Sequence, residues 1–160
     1  MAGLRPAEYY KGSQTLRIST VTLADDPDLS NIPLDPGYYS IKVLLMHSTA
    51  SAAAKLKTRW AFTGSWTSPI RSCHGPGVAN TAAADALNLV TMKGIDAGAD
   101  AIYDTAVISS PGAAIEEKAF RVEILASGVF SVQWAQGVNT ASNIAVNAGS
   151  VVEIAKVDDL

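Results

Sequence analysis

Val129-Phe130-Ser131-Val132-Gln133-Trp134-Ala135-Gln136 is the stretch that decides the fold. Phe130, Val132 and Trp134 fall on one side of an extended backbone and Ser131 and Gln133 on the other, the period-two pattern of a half-buried strand. These three residues are therefore the expected core motif. Upstream, Phe120, Val122 and Ile124 alternate with Arg121 and Glu123, and Ser127-Gly128 supplies a short turn, so the two runs predict a β-hairpin. Downstream come a polar stretch from Gly137 to Asn143, the run Ile144-Ala145-Val146, a turn at Asn147-Ala148-Gly149 and a last strand over Val151–Val157.

Working back toward the N-terminus, Leu56, Thr58, Trp60 and Phe62 alternate with Lys55, Lys57 and Arg59. The three cations admit an anion site, and the reading preferred is a solvent face that keeps an edge or exposed sheet from sticking to itself. Tyr39, Ile41, Val43 and Leu45 form another apolar row, and Thr15 to Leu23 reads as the first strand. Asp25, Asp26 and Asp28 surround Pro27 without the spacing of a calcium loop, and a solvated turn is expected there. Residues 1–14 lack periodicity and read as an arm rather than a strand. Tyr9 and Tyr10 in that arm are candidates for partner contact, because each offers a large ring with a polar tip.

Residues 64–78 read as a loop holding Trp66, Arg71, Cys73 and His74, with Trp66 a further contact candidate. Cys73 and His74 are neighbours on an extended chain and so point to opposite faces, which disfavours a shared metal or a nucleophile pair. From Thr81 to Lys93 the alanine content and Gly94 fit a helix, whereas Leu87, Leu89 and Thr91 fit a strand. With strands on either side, a strand over Leu87–Met92 is expected. Ala101 to Ser109 continues the β pattern, and Ser110-Pro111-Gly112 reads as a turn.

A chain of 160 residues with 48% hydrophobic residues can fill one core. The whole predicts an all-β protein, an antiparallel jelly-roll-like β-sandwich of about eight strands over residues 15–160 behind an N-terminal arm. Net charge is -3, which gives no basic field to gather phosphates, so nucleic acid is not an expected partner. No apolar run approaches the roughly 18 residues of a membrane span, and the first residues lack a signal-peptide core, so no membrane is expected. There is one cysteine and there are two histidines, no Gly-rich phosphate loop and no Gly-x-Ser-x-Gly elbow. No catalytic residue, cofactor or metal is therefore assigned, and an enzyme is not expected.

The run from Phe120 to Gln136, followed by Ala148-Gly149-Ser150-Val151-Val152, resembles a recurrent β-sandwich module of tailed-bacteriophage virion proteins. Earlier elements agree in order: Tyr10-Lys11-Gly12-Ser13, the run Thr20 to Leu29, Tyr38-Tyr39 and the strand from Lys57 to Phe62. The resemblance covers most of the chain outside residues 64–119. It implies a structural role, usually in an oligomer, in a capsid decoration protein or in a tail fibre or tail tip.

The lack of heptads or repeats to build a shaft favours decoration. The expected partners are then the major capsid protein and copies of the chain itself, in a trimer, on the capsid surface after synthesis in the host cytoplasm. The alternative is a tail module that binds a host-surface glycan, with Trp66, Tyr103 or the loop from Gln136 to Asn143 facing the sugar.

Overall fold

The computed structural model describes residues 6–51, 53–67, 69–76, 90–103 and 108–157. Within them fourteen strands follow in order: β1 (Ala7–Tyr10), β2 (Thr15–Ile18), β3 (Ala24–Asp25), β4 (Ile32–Leu34), β5 (Gly37–Thr49), β6 (Leu56–Phe62), β7 (Ser65–Trp66), β8 (Ile70–Pro76), β9 (Val90–Asp96), β10 (Ala101–Tyr103), β11 (Ile108–Ala126), β12 (Gly128–Gln136), β13 (Asn143–Val146) and β14 (Val151–Val157). Every pairing is antiparallel. The larger sheet runs β1-β14-β5-β11-β8-β9, with β13 on the far half of β5, β2 beyond it on β13, and β7 beside β11. The smaller sheet runs β10-β6-β12-β3, with β4 also on β12. The protein is an all-β sandwich.

β5 is the spine of the larger sheet. One edge of it pairs with β11 and the other with β14 and then β13. Tyr39, Ile41, Val43, Leu45, His47 and Thr49 all point into the core, so the apolar row expected from alternation extends two residues further and ends in polar side chains. Opposite them, Leu56, Thr58 and Trp60 of β6 and Phe130, Val132 and Trp134 of β12 are fully buried. The Trp60 and Phe130 rings meet edge to face with centroids 5.4 Å apart. The core motif lies where its period placed it.

The hairpin expected from Phe120 to Trp134 does not form. β11 belongs to the larger sheet and β12 to the smaller, so the chain turns a corner at Ser127 instead of folding back into a ladder. The glycines explain the corner. A Cβ at Gly128 would run into the backbone of Gly64, and one at Gly64 into the Ala126 carbonyl, so two backbones cross where side chains cannot fit.

A β-bulge overturns the expected apolar row of Phe120, Val122 and Ile124. Ala119 faces Ile41 and Val122 faces Tyr39, so Phe120 and Arg121 together oppose one residue of β5, and Arg121 takes φ 57°. The inward row reads Ile115, Glu117, Ala119, then Val122 and Ile124, while Phe120 is 71% exposed.

Four other expectations change. Ala7–Tyr10 is a strand on β14 rather than part of an arm. Residues 64–78 are not one loop, because Ser65–Trp66 and Ile70–Pro76 are strands. Pro111 and Gly112 lie within β11, at a register shift between Ile108 and Ala113 where no regular ladder bond is required of the proline. The first strand stops at Ile18, where Ser19 takes φ 51°. The strand expected over Leu87–Met92 lies outside the described residues except for Val90–Met92, which open β9. The helix alternative from Thr81 also lies largely outside them.

Candidate functional site

Two ionic clusters sit between the sheets, and both are assembled from residues far apart in sequence. Glu117, on the inward row of β11, is fully buried. Its Oε2 accepts from Arg71 Nη1 of β8 at 2.6 Å and from Trp60 Nε1 of β6 at 2.7 Å. Its Oε1 accepts from the Tyr103 hydroxyl of β10 at 2.7 Å and from the Thr58 hydroxyl. A carboxylate offers about four lone-pair sites, and all four are taken. Arg71, also fully buried, uses Nη2 on the carbonyls of Ala99 at 2.6 Å and Thr58 at 3.1 Å, while its Nε has no partner among the described residues. Burial, with the Glu117 charge beside it, holds the Tyr103 hydroxyl protonated far above the usual tyrosine range.

The second cluster closes the other side of the sandwich. Lys11 follows β1 and is 2% exposed, and Asp26 follows β3 and is 0% exposed, so the turn expected to be solvated carries a buried carboxylate. Lys11 Nζ spends its three donors on Thr15 Oγ1 at 2.8 Å, Asp26 Oδ1 at 2.9 Å and Asp28 Oδ2 at 3.3 Å. Asp26 Oδ1 also accepts from the backbone N–H groups of Asp28 and Leu29, and Oδ2 accepts from Trp134 Nε1 at 2.9 Å. Arg17 lies over the Trp134 ring at 4.1 Å and donates to the carbonyls of Ala24 and Asp25, which straps β2 to β3. Burial lowers the Arg17 pKa, opposed by Asp26 and Asp25.

The clusters share one plan. In each, a tryptophan of the smaller sheet aims its indole N–H at a buried carboxylate that also holds a buried cation, and one bond of each set crosses between the sheets, Trp60 to Glu117 in the first and Lys11 to Asp26 in the second. Apart from Arg71 Nε, donors and acceptors are consumed by one another, so the chemistry of these groups is to clamp. Lys11 and Asp26 lie 15 positions apart, and only the folded structure shows their pairing.

Among the contact candidates, Tyr10 is exposed at 62% and its hydroxyl donates to Glu8, which raises its pKa. Tyr9 is half-buried against the core, and Trp66 is half-buried with its ring stacked on Phe62 at 5.2 Å. The three are not brought to one place by a shared contact. Tyr103 is 5% exposed and occupied by Glu117, which removes it from the sugar-facing candidates. Gln136 is fully buried and accepts from the backbone N–H groups of Thr20 and Thr140, so it anchors the loop that follows it. Cys73 is buried and His74 is half-buried on the opposite face, as alternation requires. In the cation row, Arg59 pairs with Asp100 at 2.6 Å, and Lys57 donates to the Val21 carbonyl at 2.6 Å. Among the described residues no group of three or more His, Cys, Asp or Glu is placed to hold a metal ion.

His47 is fully buried near the end of β5, and neither ring nitrogen has a hydrogen bond among the described residues. Burial pushes its pKa down to about 4, with the Ala113 backbone weakly opposing. The unfolded chain takes up that proton near 6.5, so the contribution is intact above 6.5 and is lost as the pH falls from 6.5 toward 4. Between pH 7 and 4.5 the expected loss from this group is about 2.5 kcal/mol. Urea unfolding of wild type and His47→Leu at both pH values checks it: the variant should lose that much less, and equal losses would clear His47 of the role.

A two-sheet antiparallel sandwich with paired internal clamps defines the class of this protein as far as its fold goes. No family model matches the chain, and no curated protein matches it significantly. Among solved structures, it has a slight likeness to the structure of infectious bursal disease virus, Gx strain, at 17% identity and a TM-score of 0.21. That match covers 94% of this chain and 39% of the other, and a likeness so low carries no argument.

Proposed function

We propose that the chain is a structural protein of a tailed-bacteriophage virion, a capsid decoration protein that binds the major-capsid lattice and copies of itself and strengthens the shell. The observation that carries this reading is the pair of clamps. Lys11, Asp26, Arg71 and Glu117 are turned inward and consumed in tying one sheet to the other, and none is presented in a cleft. A block stiffened in this way keeps its outer surfaces in fixed relation, which lowers the ordering cost of binding a repeating lattice. The phage assignment itself rests on the sequence resemblance.

Purified protein mixed with empty, expanded phage capsids should occupy a regular lattice position in electron-microscopy reconstructions and raise the temperature at which the shells rupture. Bare capsids after mixing would sink the proposal. Of the candidates for the host-glycan alternative, Tyr103 is buried and Trp66 is stacked on Phe62, while the loop after Gln136 is exposed at Val138, Asn139 and Ala141.

A further inference from the structure

We propose that Lys11 and Asp26 condense into an amide, so that the second clamp is completed as a covalent link between the two sheets. Of the two clusters only this one holds a nucleophile: the first turns a guanidinium toward its carboxylate, the second a primary amine. Lys11 Nζ stands 2.9 Å from Asp26 Oδ1, and both side chains are 0% exposed. Asp28 brings a second carboxylate to within 3.3 Å of the same nitrogen. Amine, acceptor carboxyl and proton carrier therefore meet at one place, already held in contact.

Each polar group around Asp26 has a part in that reaction. The backbone N–H groups of Asp28 and Leu29 lie 3.0 and 3.2 Å from Oδ1, where negative charge gathers once Nζ attacks Cγ. Trp134 Nε1, 2.9 Å from Oδ2, holds the oxygen that departs. Asp28 takes a proton from the ammonium, which frees the lone pair, and passes it to Oδ2. The Nζ–Cγ bond forms and the Cγ–Oδ2 bond breaks. Two of the three ammonium protons leave with Oδ2 as water, and one stays on the nitrogen. Nothing is oxidised or reduced, and no co-reactant is needed. The remaining N–H keeps Thr15 Oγ1, 2.8 Å from Nζ, as its acceptor, and Oδ1, now an amide oxygen, keeps both backbone donors.

Burial favours the linked state in two ways. The reaction releases water at a point shut off from the solvent that would reverse it. The ion pair also keeps two charges out of water, whereas an amide carries none. Lys11 follows β1, the edge strand on β14 of the larger sheet, and Asp26 follows β3 of the smaller one, so the bond ties that edge to the opposite layer. Before it closes, the pair is the ion pair described above, and Lys11→Ala removes either form.

Mass spectrometry on the full chain tests the link. After storage at neutral pH and denaturation, wild type should weigh one water less than its sequence requires, and Lys11→Arg should show no deficit. Trypsin should leave Lys11 uncut and the peptide ending at Arg17 joined to residues 18–42. Asp28 is half-buried, so Asp28→Asn should still fold, with its linked fraction reduced at least about tenfold. Wild type at its full sequence mass would overturn the proposal. So would a missing water with the two peptides separate, since the dehydration would then lie elsewhere. Asp28→Asn linked as fully as wild type would overturn the proton path. Capsid binding is read in a different experiment, so this proposal and the decoration role fail separately.

Discussion

Glu117→Ala is expected to destabilise the protein by about 3–5 kcal/mol, a large share of the stability of an ordinary domain. The substitution leaves Arg71 charged and buried with no counter-ion, and it strands the Trp60, Thr58 and Tyr103 donors in the same step. Most of the loss comes from those uncompensated groups rather than from the worth of the ion pair itself. Replacing both partners should therefore cost much less. Arg71→Met combined with Glu117→Leu is expected to fall well short of the sum of the single losses. Urea unfolding of the two singles and the double gives the coupling directly. A loss below about 1 kcal/mol for Glu117→Ala would mean that water reaches the cluster and that it does not hold the sheets together.

Lys11→Ala is the second large effect, also about 3–5 kcal/mol, for the same reason with the signs exchanged. Asp26 keeps its two backbone donors and the Trp134 N–H, but its charge loses the ammonium 2.9 Å away. The loss has a location that Glu117→Ala does not share. Lys11 follows β1 directly, and its own N–H bonds the Ser150 carbonyl at 2.8 Å, so releasing the side chain frees the edge strand. Hydrogen exchange should show the amides of β1 and of Lys11 losing protection ahead of those in β5 and β11. The deficit should also be nearly unchanged between low and high salt, because a buried pair is screened far less than a surface one. A salt-sensitive deficit, or uniform loss of protection, would place the pair at the surface and remove its role as a strap.

How much of this was legible depends on whether a residue obeys the period of its strand. Phe130, Val132 and Trp134, the row on β5 and the row on β6 could be read directly, because apolar side chains at every second position leave a half-buried strand as the economical reading. β8 could not. Its inward row is Arg71, Cys73 and Gly75, with no aliphatic side chain, so burial there left no hydropathic trace and the segment read as a loop.

Glu117 between Ile115 and Ala119 was a usable hint, an acid standing on an apolar row. Lys11 and Asp26 gave none, since both sit beside short polar turns and neither has an apolar row around it. The bulge at Phe120 and Arg121 is invisible to periodicity, because an inserted residue preserves composition while reversing which side each later residue faces.

Alternation and turn residues, which are local properties of the backbone, were enough to determine an all-β chain and which side of its main strands is apolar. Partner choice was decided only in three dimensions: that β11 and β12 enter different sheets, that two carboxylates and two cations meet behind paired tryptophans, and that Phe120 faces outward. The physical reason is range. A pleat sets side-chain direction over two residues, whereas strand pairing and ion pairing join residues as far apart as 15, 46 and 108 positions, and nothing in their own neighbourhoods encodes the match.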